Sequence, residues 1–177
     1  MTYRDIIPNC MNYEEVYQNA VKNGKDGDLF VELGTFMGRS AVFMGQLIKD
    51  SGKKIDFITV DLFEPGDNND HSQHFNGDVF DAVCDNINKC GLKDYVTVVK
   101  GSTEALANII AVKLNRKINF IYIDASHTTE GVAKDIKDYL PLITLGGIMA
   151  GHDYNLNTVK TAVDAAFTKP DLQFYLN

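Results

Sequence analysis

Apolar residues recur along this chain in two alternating rhythms. Near the start, Tyr13, Val16, Tyr17, Ala20 and Val21 fall at three- and four-residue spacing. That spacing predicts an amphipathic helix from Asn12 to about Lys22, closed by Gly24-Lys25-Asp26-Gly27. Further on, short runs such as Ile118-Asn119-Phe120-Ile121-Tyr122-Ile123 are apolar almost throughout and of strand length. Strands are predicted near 28–33, 55–60, 95–100, 118–123 and 147–150, with a last short one at 172–176. Helices are predicted near 38–50, 78–90, 102–111, 128–140 and 158–167. Continuously apolar strands belong to a parallel sheet covered on both faces. Repeated strand–helix units imply right-handed crossovers, hence a doubly wound α/β fold with helices on both faces.

The bulk numbers narrow this picture without changing it. At 177 residues the chain is expected to form a single domain, 1–177, with 1–24 as an N-terminal helical cap segment. Apolar residues at 45% and charged residues at 23% are those of a globular protein. Lys+Arg 17 against Asp+Glu 24 gives a net charge of −7, and the basic residues form only small clusters such as Lys53-Lys54 and Arg116-Lys117. A nucleic-acid partner needs a concentrated positive face and is therefore disfavoured. Cys10, Cys84 and Cys90 lack C-x-x-C spacing and read as reduced packing residues. With no signal-like start and no apolar run long enough to span a membrane, the expected setting is cytoplasmic.

The chemistry gathers at the predicted strand ends, where open α/β sheets bind ligands. The first strand runs into Glu32-Leu33-Gly34-Thr35-Phe36-Met37-Gly38-Arg39-Ser40, a glycine-bearing turn that leads into a helix. Such a turn brings backbone N–H groups and a helix N-terminus to a small ligand. Its Gly-x-x-x-Gly spacing is neither the dinucleotide fingerprint nor a phosphate-binding loop, and Glu32 suits a cationic or hydroxyl-rich ligand. Asp61 ends the second strand 23 positions after Gly38, where a ribose-binding carboxylate belongs. Ser102 and Thr103 follow the third strand; with Glu104 they suit a helix cap equally well. Asp124 and His127 follow the fourth strand, and His152 and Asp153 the fifth. If strands four and five are neighbours, Asp124 and Asp153 stand close enough to need a shared proton or cation. Two hard oxygen donors favour Mg²⁺, Mn²⁺ or Ca²⁺ over zinc. His127 can serve as a general base near neutral pH. The long polar stretch 64–77, with His71 and His74, is of a length that often serves a site, and no role is assigned to either histidine.

These residues together resemble a known family. The segment from Val31 to Ser40 resembles the first motif of class I S-adenosylmethionine-dependent methyltransferases, in the variant found in catechol- and macrocin-type O-methyltransferases. The segments 120–132 and 145–154 resemble the fourth- and fifth-strand motifs of the macrocin O-methyltransferase and cephalosporin hydroxylase-like group. The resemblance implies a mainly parallel Rossmann-like sheet of order 3-2-1-4-5 with a sixth edge strand. It implies that Glu32, Gly34, Thr35, Gly38 and Ser40 line the methionine and ribose side of S-adenosylmethionine. Asp61 would then bind the ribose hydroxyls, with Leu62 near the adenine and Ser102 and Thr103 at its edge. Asp124 and Asp153 would match the metal ligands, for Mg²⁺ or another divalent cation, and His127 the candidate base. The expected reaction is methyl transfer to a small-molecule hydroxyl.

Two features depart from that pattern. Relatives usually set a third acidic or amide ligand beside the last aspartate, whereas here its neighbours are His152, Tyr154 and Asn155. The sequence also ends at Asn177, ahead of the usual antiparallel seventh strand, so a trimmed sheet edge that pairs with another subunit, or a fragment, is expected. A cofactor-binding module without turnover and a nicotinamide-dependent oxidoreductase remain the alternatives. The second lacks both Gly-x-Gly-x-x-Gly and a Tyr-x-x-x-Lys pair.

Overall fold

The computed structural model describes Asp5, residues 13–64 and residues 78–167. Cys10, His71 and His74, nearly all of the 64–77 loop and the strand expected at 172–176 lie outside the described residues. In chain order the elements are α1 (Glu14–Asn23), β1 (Leu29–Leu33), α2 (Arg39–Ser51), β2 (Asp56–Asp61), α3 (Val79–Lys89) and β3 (Thr97–Lys100). There follow α4 (Thr103–Asn108), β4 (Ile118–Ile123), α5 (Thr129–Tyr139), β5 (Ile143–Gly151) and α6 (Asn157–Ala166). The strands form one five-stranded sheet of order β3-β2-β1-β4-β5, parallel throughout. This is the expected order, and the element types are the expected ones.

Alternation along the central strands divides the core in two. Phe30, Phe120 and Tyr122 face one side, where α1, α2 and α3 cover them with Tyr17, Phe43, Met44 and Ile87. Leu29, Val31, Leu33, Ile121 and Ile123 face the other, against Leu106, Ile136 and Val159 of α4, α5 and α6. β1 is buried at all five positions because it lies at the centre of the sheet with helices on both faces.

Two elements run beyond their expected bounds. α4 continues as a π-helical turn over Ile109–Leu114, ending at Asn115 in the left-handed region. β5 begins at Ile143, not 147, because the strand passes through Gly146-Gly147 as an irregularity. The register jumps from Ile118↔Ile143 to Phe120↔Ile148, so β5 carries surplus residues there. A glycine pair in sequence reads as a turn, whereas here the flanking residues keep their β4 pairing.

The first strand also carries a buried acid. Glu32 is 1% exposed and shares a register row with Thr59 and Tyr122, so it faces α1 and α2. The Tyr17 hydroxyl of α1 donates to Glu32 Oε2, and Thr59 Oγ1 donates to Oε1 at 2.7 Å. The Thr59 hydroxyl also meets Thr35 Oγ1 at 2.5 Å. A further bond to Ser40 engages the carboxylate from α2. Hydrogen bonding of this kind offsets part of the cost of burying the acid. Burial nonetheless dominates and raises the Glu32 pKa from its ordinary 4.5 to about 7.

Gly34 is required twice over. Its φ is +93°, and a Cβ there would lie 2.0 Å from the carbonyl oxygen of Asp124. Gly34→Ala should therefore cost at least about 3 kcal/mol, because neither main chain can retreat without breaking the sheet ladder. Gly52 has a similar φ of +68° with open space around it, so Gly52→Ala should cost only about 1 kcal/mol. Urea unfolding of the two variants measures the difference, and equal losses would show that the contact with Asp124 is immaterial.

The raised Glu32 pKa sets a second expectation. A folded-state value above the unfolded one gives stability that is complete below about 4.5 and is lost as pH rises to about 7. Glu32→Gln does not titrate, so its stability should fall about 2–3 kcal/mol less than the parent's between pH 4.5 and 7.5. Chemical denaturation at the two pH values checks this; parallel pH profiles would refute it.

Candidate functional site

The sheet order sets four strand ends in a row. Asp61, Gly34, Asp124 and Gly151 close β2, β1, β4 and β5, and neighbouring strands stand about 4.8 Å apart. The strand order reverses between β1 and β4, the place where open sheets leave a crevice. The N–H of Gly34 donates to Val60 O at 2.9 Å and that of Asp124 to Leu33 O at 2.8 Å, so the ladder holds both residues up to the crevice edge. The 152 N–H donates to Ile123 O at 3.1 Å and extends the same ladder from β5.

The first half of the site is the glycine turn. Asp61 Oδ2 accepts from the backbone N–H of Thr35 at 2.9 Å and of Phe36 at 2.8 Å, while Oδ1 accepts from Phe63 N–H at 2.9 Å. One carboxylate thus ties the turn after β1 to the segment after β2. Phe36 and Phe63 both have left-handed backbone, at φ +49° and +53°. Gly38, at φ +82°, begins α2, and no side chain caps that helix start. Helix-start amides in that state suit an electron-rich ligand group. Leu62 is 51% exposed beside the turn, and Phe63 packs edge-on against Phe80 with ring centroids 5.3 Å apart.

The expected cofactor residues divide accordingly. Gly34, Thr35, Gly38, Asp61 and Leu62 are brought together around the turn. Glu32 and Ser40 lie beneath it, in the buried network. Ser102 caps α4 by accepting from Ala105 N–H at 3.1 Å. The Thr103 hydroxyl is turned away from the crevice and donates to Asp135 at 2.6 Å, with the Tyr139 hydroxyl bonded to its carbonyl.

The second half gathers Asp124, His127, His152 and Asp153. His127 Nε2 lies 2.7 Å from Asp153 Oδ2 and 3.7 Å from Asp124 Oδ1. His152 Nδ1 lies 3.2 Å from Asp153 Oδ2 and 3.8 Å from Asp124 Oδ1. Asp153 sits at φ +56°, a backbone state that side chains rarely adopt outside special sites. Burial pushes the Asp124 carboxyl up, against the pull of His127 and His152. Hydrogen bonding to Asp124, and to the nearer Asp153, raises His127 to about 8. At pH 7 the His127 ring is therefore largely an imidazolium facing two carboxylates. Asp124, His152 and Asp153 each offer one ligand atom, all within 4.8 Å of one another, so the three could converge on a metal ion.

Beside this cluster a cavity of about 140 Å³ opens between α5, α6, β4 and β5. Asp124 and His127 line it together with Ile136, Met149, Val159 and Phe167.

Sequence reasoning assigned no role to Tyr13, Tyr17, Thr59 or His152. Tyr13 stacks on Tyr122 at 4.5 Å and meets the His152 ring edge-on at 5.2 Å. Its hydroxyl also bonds Ser40, so it spans the two halves. The available signal was the i, i+4 pair Tyr13 and Tyr17 on one helix face; using it requires knowing that α1 lies over β1 and β4.

Known proteins share this fold. The fold is similar to that of the O-methyltransferase NovP, at 19% identity and TM-score 0.69, with 90% of this chain and 72% of that one covered. It is similar to the calicheamicin methyltransferase CalS11 at 13% identity and TM-score 0.68, covering 92% and 72%. A third likeness is to PaMTH1 of Podospora anserina, solved with S-adenosylhomocysteine bound, at 19% identity and TM-score 0.61, covering 99% and 65%. No helix among the described residues is long and apolar enough to cross a membrane. A protein-family model described as a methyltransferase domain matches residues 31–154. That span takes in the glycine turn, Asp61 and the whole Asp124 cluster, and the chain belongs to the methyltransferase domain family.

Proposed function

We propose that this protein transfers the methyl group of S-adenosylmethionine to a hydroxyl oxygen of a small-molecule acceptor, with a divalent cation at the Asp124 cluster. The observation that carries the reading is the direct contact of the two half-sites. The Gly34 main chain rests on the Asp124 main chain so closely that a Cβ would fall 2.0 Å from the Asp124 oxygen. A cofactor on the turn and an acceptor at the cluster would therefore be held within reach of each other. Methyl transfer from a sulfonium is an in-line displacement, and holding the partners at near-attack distance removes much of its barrier.

Each residue then has a task. Gly34, Thr35 and Gly38 present backbone to the cofactor's methionine end. Asp61 fixes the turn through the amides of Thr35 and Phe36, and its remaining lone pairs serve the ribose hydroxyls. Leu62, 51% exposed, offers apolar surface to the adenine. Glu32 and Ser40 act from beneath: the buried carboxylate complements the positive charge above it, and the hydroxyl links that carboxylate to α2. Ser102 shapes the edge beyond β3 through its helix cap. Thr103 is assigned no contact, since its hydroxyl bonds Asp135.

The donor set at the cluster fits a cation: Asp124, Asp153 and His152 offer ligand atoms at suitable spacing. A cation there would lower the pKa of an acceptor hydroxyl. His127 bonds Asp153 at 2.7 Å, within reach of the same place, and in its neutral form, which prevails above pH about 8, is the residue to receive the hydroxyl proton. The largely apolar cavity, with Asp124 and His127 in its lining, supports an alcohol or phenol as acceptor.

Calorimetric titration with S-adenosylhomocysteine, with and without divalent ion, is the direct test; absence of binding under both conditions would rule the function out. Asp153→Asn keeps a residue that tolerates left-handed backbone and should remove ion-dependent methyl transfer by at least about 100-fold. Its affinity for S-adenosylhomocysteine should stay within about threefold of the parent, since Asp153 lies off the glycine turn. Loss of both together would mean that the two halves do not act separately.

A further inference from the structure

The donors at the Asp124 cluster are of mixed chemistry, and this bears on which ion the site takes; the inference rests on the metal reading above. Two carboxylate oxygens and one imidazole nitrogen converge, from Asp124, Asp153 and His152. His152 Nδ1 is 3.2 Å from Asp153 Oδ2 and 3.8 Å from Asp124 Oδ1. Ligand atoms bound about 2.1 Å from one ion stand roughly 3.0–3.4 Å apart, so the nitrogen is already near coordinating distance.

His152 is also held in place. Its backbone N–H continues the β4 ladder by bonding Ile123 O at 3.1 Å. Its ring rests edge-on against Tyr13, centroids 5.2 Å apart, and Tyr13 in turn stacks on Tyr122 at 4.5 Å. An imidazole fixed by packing from α1 loses little entropy when it ligates. His127, bonded to Asp153 at 2.7 Å, orients that carboxylate from the opposite side.

We propose that Asp124, His152 and Asp153 bind a first-row transition ion of the Mn²⁺ to Zn²⁺ series in preference to Mg²⁺ or Ca²⁺. Mg²⁺ and Ca²⁺ gain their affinity from oxygen donors and negative charge. Here one of three protein donors is a neutral nitrogen, and the ligand charge is only −2. Imidazole rewards the later ions of the series, whose bonds to nitrogen are stronger. This departs from the preference for Mg²⁺, Mn²⁺ or Ca²⁺ over zinc expected when only the two aspartates are counted.

The test is calorimetry on the full chain with Mg²⁺, Ca²⁺, Mn²⁺, Co²⁺ and Zn²⁺, alongside a titration with S-adenosylhomocysteine. Co²⁺ and Zn²⁺ should bind at least about 100-fold more tightly than Mg²⁺, with Mn²⁺ between. The Co²⁺ complex should show visible absorption that changes in His152→Asp, whose Co²⁺-to-Mg²⁺ affinity ratio should fall at least about tenfold. Equal Mg²⁺ and Co²⁺ affinities in the parent would overturn the proposal, as would a Co²⁺ spectrum unaltered by the substitution. Should His152→Asp fail to fold, the parent's selectivity ratio decides alone. A chain that binds S-adenosylhomocysteine but none of the five ions would overturn this proposal and leave the methyltransferase reading standing. Failure of S-adenosylhomocysteine to bind would instead sink that reading.

Discussion

The arrangement depends on one close approach: the backbone after β1 lies directly on the backbone after β4, with Gly34 against Asp124. In a parallel sheet these two strands are neighbours, each tied to the other by the bond from Asp124 N–H to Leu33 O. Their ends would normally diverge as connections leave for opposite faces. The absence of a side chain at Gly34 lets the turn fold flat across the strand end, which puts the glycine turn and the carboxylate cluster in one crevice. Any side chain at that position would push the halves apart by the width of a methyl group, and transfer between bound partners is sensitive to shifts of about 1 Å.

Two carboxylates hold the turn from different directions, and their environments differ. Asp61 is only partly buried and accepts three backbone N–H bonds, so it acts as a clamp on the chain. Glu32 is fully buried and is engaged by hydroxyls of Tyr17, Thr59 and Ser40, so it acts as a joint between α1, β2 and α2. A buried acid is costly even with such partners. Hydrophobic residues would pack the same space more cheaply.

The fold was legible because its signals are local and repeated. Continuous apolar strands, helical spacing and glycine punctuation gave every described strand and α-helix, and the acids at Asp61, Asp124 and Asp153 emerged because strand ends can be found from the strands alone. What stayed hidden depends on contact across the sequence. Thr59 gained meaning only from its register with Glu32, 27 positions away. Tyr13 and Tyr17 read as an ordinary helix face until α1 is seen lying over β1 and β4. Thr103 looked like a crevice residue by position, yet the first turn of a helix can aim a side chain inward, and Asp135 of α5 was there to receive it. The fifth strand was expected to begin at Gly147 because no local pattern reveals that β5 keeps its pairing with Ile118 through Ile143.

Backbone strain follows the same division between scaffold and site. Four described residues other than glycine have positive φ: Phe36, Phe63, Asn115 and Asp153. Asn115 ends the π-helical turn at the far end of β4, a position that asparagine tolerates. The other three all sit at the crevice. Phe36 and Phe63 are held by the same carboxylate, Asp61, which offsets the cost of both conformations through charge-assisted bonds. Asp153 has no such clamp on its own amide; its constraint comes from its side chain, placed between His127 and His152. A residue held in an unfavourable backbone state by its carboxylate is sensitive to whatever that carboxylate binds. The carboxylate and histidine half of the crevice is thus the more responsive one, and the glycine turn, clamped by Asp61 and packed on Asp124, is the more rigid.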